Sequence, residues 1–386
     1  MSSGEKVPDV SKRAAVRVNG LGDFIFVLPA LQALRDTYPE AEIVFLGKPW
    51  HQDFVPGRVN TIDRVISTPP CVGVGEEPGT PVDEAALDAF FARMQLERFD
   101  IAVQLHGGGR YSNSFVCRLG ARLTVGLQAQ DAPPLDRTLP YIYYQNEILR
   151  YLETVALIGA GTDQIIPRVS IIDSDRAEAA AVTAGNSKQP YIIMHPGAGD
   201  ARRRWPTERF GAVANYLFEA GFALYITGIE AETGLVNEFV RLTNNRAVSL
   251  AGKLSLGGLA ALGAEAALVI ANDTGPLHLA TAAGAKTVGI YWCGNLINAS
   301  PITRAKHRPL LSWMLKCADC GRIHSGDYPF TEQACRHQVS FVSNVTVDQC
   351  LAVCEELLER RLVVTTCNQK PVNQQSAQFS TGINCN

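Results

Sequence analysis

The sequence lacks any apolar run near the ~20 residues that a bilayer-spanning helix needs. Its longer runs, such as residues 266–271, stop after a few residues. It also lacks an opening segment of charged then apolar residues, so the expectation is a cytoplasmic chain. Charge of one sign is not in excess, with 35 Lys and Arg against 38 Asp and Glu. Apart from Arg202, Arg203 and Arg204 the basic residues are scattered, which argues against a nucleic-acid track and for a local anion site. The ten cysteines are spread through a long chain, where reduced thiols are expected. Only Cys317, Cys320 and Cys335 cluster, near His324 and His337. The spacing after Cys320 is irregular and a fourth thiol is missing, so no metal and no cofactor are expected.

What is present is an alternation of short β-rich runs with helical stretches. Residues 15–18, 42–46 and 101–105 read as strands, and 24–37, 83–97, 113–119 and 145–158 as helices. Residues 73–82, rich in Gly and Pro, read as an excursion. After a connection over 159–190 containing an Ala-rich helical piece, a second series begins. Its strands are expected at 191–195, 224–227, 247–250, 268–272 and 287–291. Helices at 207–220, 231–243, 256–264 and 276–283 lie between them. The fold class is α/β: two Rossmann-like, doubly wound parallel-sheet domains facing a cleft, over residues 1–165 and 166–345. A C-terminal helix at 346–363 and a polar tail at 364–386, expected to be disordered, complete the chain. Chains of this length ordinarily divide in this way.

In such folds ligands sit beyond the carboxyl ends of strands. Three turns there carry chemistry. Gly20-Leu21-Gly22-Asp23 sets a carboxylate at the start of a helix, where Asp23 reads equally as an N-cap. His195-Pro196-Gly197-Ala198-Gly199 leads into Arg202, Arg203 and Arg204, so small residues and arginines together could grip an anion, although a solvated basic turn fits as well. Asn272-Asp273-Thr274-Gly275-Pro276-Leu277-His278 packs a strand end, a turn and a helix start with Pro in its first turn. Amides of Thr274 and Gly275 at a helix N-terminus suit a diphosphate. His278 alone would more often be a hydrogen-bonded core histidine, and Glu232 a surface acid. Leu254, before a Ser255 cap, could face a base.

Taken together, six features resemble the glycosyltransferase family 9, the ADP-heptose:lipopolysaccharide heptosyltransferase type. They are Gly22-Asp23 with Pro29, His195 to Ala198, Arg203-x-Trp205-Pro206, Gly228 to Glu232, Leu250 to Lys253, and Asp273 to His278, in order across about residues 14–360. The resemblance implies the GT-B fold, with acceptor bound by the N-terminal half and nucleotide-sugar by the C-terminal half. It implies an inverting, metal-independent transfer of heptose from ADP-heptose to a glycan or glycolipid acceptor, in lipopolysaccharide biosynthesis at the inner membrane surface. Asp23 would be the general base. Gly22, Gly197, Ala198, Gly199, Arg203, Glu232, Leu254, Asp273, Thr274, Gly275 and His278 would bind donor, with Arg203 on phosphate, Glu232 on ribose and Leu254 on adenine. The family usually has lysine at the Arg203 position, which alters the shape of the phosphate contact. The 73–82 excursion and the polar tail depart from the family pattern. The alternatives are a nucleotide-sugar epimerase on the same fold and a nucleotide-sugar-binding protein without turnover.

Overall fold

Runs of β-branched and aromatic residues four to six long are too short for helices that could bury a face, and they pair instead as strands. The structure, a computed structural model, describes residues 4–186, 189–322, 337–359 and Arg361. In the first half, strands β1 (Lys12–Val16), β2 (Glu42–Gly47), β3 (Arg64–Ser67), β4 (Cys71–Val72), β5 (Gly75–Glu76), β6 (Ile101–Gln104), β7 (Leu123–Gln128) and β8 (Arg137–Pro140) alternate with helices α1 (Leu21–Thr37), α2 (Trp50–Phe54), α3 (Glu84–Leu96) and α4 (Ser112–Arg118). Helix α5 (Glu147–Ala156) follows, then α6 (Asp173–Thr183). The second half holds β9 (Tyr191–His195), β10 (Ala223–Ile226), β11 (Val248–Ser249), β12 (Leu268–Asn272), β13 (Thr287–Trp292) and β14 (His307–Ser312). Its helices are α7 (Thr207–Glu219), α8 (Thr233–Leu242), α9 (Leu256–Glu265), α10 (Gly275–Ala282), α11 (Cys293–Ala299) and α12 (Val347–Leu358).

Both large sheets are parallel and share one topology. The orders are β3-β2-β1-β6-β7-β8 and β11-β10-β9-β12-β13-β14. In each, the chain reverses its direction of strand addition beside its first strand, between β1 and β6 and between β9 and β12. Ligands bind at such switch points. The turns after β1, β9 and β12 are the three singled out from sequence.

Several boundaries differ from expectation. Helix α1 begins at Leu21 rather than 24, so Asp23 lies inside the first turn and Gly20 takes the cap. Helix α12 stops at Leu358, short of the expected 363, and Glu359 enters the left-handed region with φ 55°. Strand β11 is two residues long where 247–250 was expected. The short β3, β7, β8 and β14 and helices α2 and α11 went unread; β14 is an edge strand carrying Pro309, which weakens a strand signal. The 73–82 excursion begins in the small β4–β5 pair, turned by Gly73 at φ 69° and Gly75 at φ 102°, and buries Val74 against the first core. The tail from 364 lies outside the described residues. Among the described residues no helix is long and apolar enough to cross a membrane.

The two halves are locked together. Leu279 and Ala282 of α10 and Ala260 of α9 join the core formed by α1, β1 and β2. Behind them, the Arg58 fork donates to the Asp175 carboxylate of α6, with Nε at 2.8 Å and Nη2 at 2.5 Å. The Asp175 side chain is only 2% exposed. Burial pushes the Asp175 pKa up, but the bonds from Arg58 and the Ile172 amide outweigh it and hold the carboxyl below its usual value. The folded state therefore binds this proton less readily than the unfolded chain. Its contribution is complete above about pH 4, near the ordinary carboxylate value, and is lost as pH falls through the lower folded value. We predict that Asp175→Ala lowers stability by about 3 kcal/mol, the cost of orphaning a buried partner, and flattens the acid limb of the stability curve. Urea unfolding across pH checks both.

Candidate active site

The central feature is the meeting of two helix N-termini, one from each half. A side-chain carbon on Gly22 would lie 3.0 Å from the His278 ring and 3.7 Å from the Gly275 Cα. One on Gly275 would lie 2.9 Å from Leu21 Cβ. Glycine at both positions lets the first turns of α1 and α10 touch, and Phe26 meets the His278 ring edge-on one turn further along. First-turn amides have no intrahelical acceptor, and each terminus carries partial positive charge. Two such ends side by side repel unless anions lie near them. Asp23 and Asp273 supply two, and the space between is a cleft of about 940 Å³.

Asp23 is held from two sides. Its Oδ2 accepts the Gly20 N–H at 3.1 Å, an N3 carboxylate closing back on the cap rather than acting as the cap. Its Oδ1 meets the Arg17 guanidinium at 2.6 Å. Arg17 is buried, and it also donates to the Leu105 carbonyl at 2.7 Å and to the Tyr151 hydroxyl, with Glu147 at 3.6 Å. Burial works against the Arg17 charge, but Tyr151, Asp23 and Glu147 outweigh it and raise the pKa above the ordinary value. Nearby, burial and the Arg17 charge drive His106 down to about 3. It stays neutral and its Nδ1 accepts the Val18 N–H at 3.2 Å. Beside Asp23 the cleft wall is thus a fixed lattice rather than a solvated surface.

On the opposite wall Asp273 is buried. His278 Nε2 donates to it at 3.0 Å and the Asn295 amide at 2.6 Å, with Arg203 Nη1 at 3.4 Å. Burial raises its pKa, yet the His278 hydrogen bond, the His278 and Arg203 charges and the Asn295 amide prevail and lower it. The arginine triplet divides by partner. Arg202 grips Asp200 with Nη2 at 2.7 Å, and Arg204 donates to the Ala198 carbonyl at 2.8 and 3.0 Å. Arg203 alone of the three lines the cleft, and the basic turn is not a diffuse patch.

Of the site residues expected from sequence, Gly22, Asp23, Gly199, Arg203, Leu254, Asp273, Thr274, Gly275 and His278 line one cleft. Gly197, Ala198 and Glu232 do not. Ala198 is buried, and Gly197 lies against the Glu232 carboxylate, which accepts the Ile229 N–H at 3.0 Å. Glu232 also stands 4.0 Å from His195, whose pKa burial lowers. It is Glu230, two residues earlier, that reaches the cleft. Ser255 caps α9 through the Gly258 amide, and Trp205 is a buried packing residue. Cys317, Cys320 and His337 converge away from the cleft, whereas Cys335 and His324 lie outside the described residues. An Asp-x-Asp pair exists at Asp173 and Asp175, but Asp175 is committed to Arg58 and neither lines the cleft.

Sequence reasoning missed Arg17, Glu147, Asn272 and Asn295. Asn272 is fully buried: its Oδ1 accepts the Trp205 N–H at 2.9 Å and its Nδ2 donates to the Pro196 carbonyl at 2.8 Å. One amide thereby ties the turns after β9 and β12 together. We predict that Asn272→Ala, which strands a buried Trp205 N–H, costs about 1–3 kcal/mol in urea unfolding. Nucleotide affinity should fall with it as the Arg203 turn loosens, measured by calorimetric titration under folded conditions.

Comparison with known proteins identifies the family and the fold. The model of glycosyltransferase family 9 (heptosyltransferase) matches residues 88–322, more than half of the chain. The lipooligosaccharide heptosyltransferase 2 of Haemophilus ducreyi is 23% identical over 296 residues, covering 68% of this chain and 77% of that protein. A family 9 glycosyl transferase from Veillonella parvula superposes with a TM-score of 0.72 at 21% identity, covering 93% of this chain and 99% of that one. The E. coli ADP-heptose lipopolysaccharide heptosyltransferase II does so with 0.68 at 17% identity, covering 90% and 98%.

Proposed function

Since the chain belongs to glycosyltransferase family 9 and is a glycosyltransferase of the GT-B fold, we propose that it transfers heptose from ADP-heptose to a lipopolysaccharide-type acceptor, with inversion and without a divalent metal in the cleft. The observation that carries this reading is the opposition of Asp23 to the Asp273–Gly275 turn and Arg203 across one cleft. Asp23 takes the proton of an acceptor hydroxyl as its oxygen attacks the anomeric carbon. The bond to the β-phosphate oxygen breaks on the far side, and the ADP leaves toward the α10 N-terminus. First-turn amides and Arg203 neutralise the charge it gains, the role a divalent ion plays elsewhere.

Arg17 fixes the direction of the Asp23 lone pairs, so the base is aimed before substrate arrives. Leu254 and Leu250 line the part of the cleft assigned to the base, and Glu230, which lines the cleft where Glu232 does not, is the candidate for the ribose hydroxyls. The ADP moiety and the lipopolysaccharide acceptor follow the E. coli ADP-heptose lipopolysaccharide heptosyltransferase II. Such an acceptor implies peripheral contact with the inner membrane surface.

The test is transfer from ADP-heptose to a heptose-acceptor glycolipid in buffer without added magnesium or manganese. The product should carry the anomeric configuration opposite to the donor, read by NMR. Retention, or no turnover until a divalent ion is added, would contradict the reading. For the phosphate grip, Arg203→Ala should weaken ADP binding about 10- to 150-fold, the range for a charge-assisted hydrogen bond. Arg202→Ala, whose fork is held by Asp200, should have the smaller effect. Equal effects would show that the division of the triplet is wrong.

A further inference from the structure

The residues between β14 and α12 hold a cluster that the transferase reading does not use. Cys317 Sγ, Cys320 Sγ and a ring nitrogen of His337 all lie within 4.8 Å of one another. The Cys317-Ala318-Asp319-Cys320-Gly321-Arg322 segment folds as a tight knuckle. The Gly321 N–H donates to the Cys317 carbonyl and the Cys317 N–H to the Arg322 carbonyl, both at 2.9 Å. Gly321, at φ 69°, makes the reversal. His337 arrives from twenty residues along the chain, and its Nδ1 stands 3.5 Å from Cys317 Sγ.

That spacing has a meaning in coordination chemistry. For an ion with metal–sulfur and metal–nitrogen bonds of about 2.3 and 2.0 Å, a tetrahedral angle separates the two donors by about 3.5 Å. Two thiolates and an imidazole select zinc or iron over the oxygen-seeking magnesium and calcium. The expectation against a metal rested on irregular sequence spacing and a missing fourth thiol. Spacing is no constraint once the chain returns through space, and a fourth thiol is not required where an imidazole and water can complete the set.

We propose that Cys317, Cys320 and His337 bind one zinc or iron ion, which staples the end of the second sheet to the segment behind the Arg203 turn. Among the described residues these three donors converge, and the fourth corner is left to water or another donor. None of the three residues lines the cleft, so the ion takes no part in transfer. Its reach is mechanical. Three residues after His337, the Ser340 hydroxyl donates to the Arg204 carbonyl at 2.6 Å, and the Phe341 N–H donates to the Arg202 carbonyl at 2.7 Å. The backbone on both sides of Arg203 is thus held by the strip of chain that the ion anchors. Trp205 Nε1 donates to the Val345 carbonyl at 2.9 Å and extends the same attachment. Ion binding stands independently of the transferase reading, while its effect on donor affinity rests on that reading.

The experiment is elemental analysis of the full chain purified from metal-replete cells, with Cys320→Ser, His337→Ala and, as control, Cys117→Ser, an exposed cysteine elsewhere. Wild type and control should hold about one zinc or iron per chain, and the two ligand variants roughly ten-fold less. The element found decides between the two metals. Cobalt(II) added to metal-stripped wild type should give a thiolate-to-cobalt charge-transfer band, so the proposal is tested even where a variant folds poorly. Wild type that stays substoichiometric and shows no such band, or ligand variants that keep the metal, would overturn the site. Stripping should also weaken ADP binding in wild type. Undiminished ADP affinity in the stripped, folded protein would overturn the staple while the metal content still stands as a separate result.

Discussion

The rest of the structure depends on the contact between the first turns of α1 and α10. Two parallel-sheet units, each ending its strands toward the other, could face across a cleft at many separations. Gly22 and Gly275 remove the side chains that would hold them apart, and the two positive helix ends are brought together. Such a pairing is unfavourable until negative charge is supplied. The protein supplies two carboxylates, each tethered within its own half: Asp23 by the Arg17 guanidinium, and Asp273 by the His278 ring and the Arg203 guanidinium. Under the proposed function, the donor diphosphate would be the further anion facing the α10 N-terminus and Arg203.

This arrangement explains why so many buried polar groups cluster around the cleft. Arg17, Asn272, Asp273, His195 and His278 are all buried. Burying such groups is costly unless each is bonded. The bonds of Arg17 to Leu105, His195 to Thr227, and Asn272 to Trp205 and Pro196 fix one loop against another, while Arg17–Asp23 and His278–Asp273 brace single turns. The result is a preorganised wall, whose donors and acceptors are held in place by the fold itself. The Asn146 amide adds one more link, donating to the Ser300 carbonyl across the halves at 2.9 Å.

The parts legible in the sequence are those whose cause is local. A strand ending in Gly-x-Gly-Asp, or in Asp-Thr-Gly-Pro, announces a turn and a helix start through the conformational preferences of a few adjacent residues. Nine of the expected site residues accordingly fall on one cleft. Arg17 was illegible because its partners Leu105 and Tyr151 are 88 and 134 residues away, and a charged residue just past a strand reads as exterior. Asn272 hid for the same reason, its partners being 67 and 76 residues distant. Asp23 misled in its detail: a helix start displaced by one turn changes a cap into an N3 carboxylate, and only the Gly20 amide reveals which. The cysteine knuckle was legible as thiols near a histidine, but its geometry was not, since it depends on the backbone reversal at Gly321.

The most direct test of the account is the pair of quantities measured for Asp23→Asn: ADP-heptose affinity by titration and transfer rate in a single turnover. Asparagine can still accept the Gly20 N–H, so the first turn of α1 should persist although the Arg17 ion pair is lost, and donor affinity, set by the other half, should stay near wild type. It cannot take the acceptor proton at neutral pH, and transfer should fall by roughly 10²–10⁴-fold. A variant that binds donor normally and transfers heptose at near the wild-type rate would contradict the account and move the base elsewhere in the cleft.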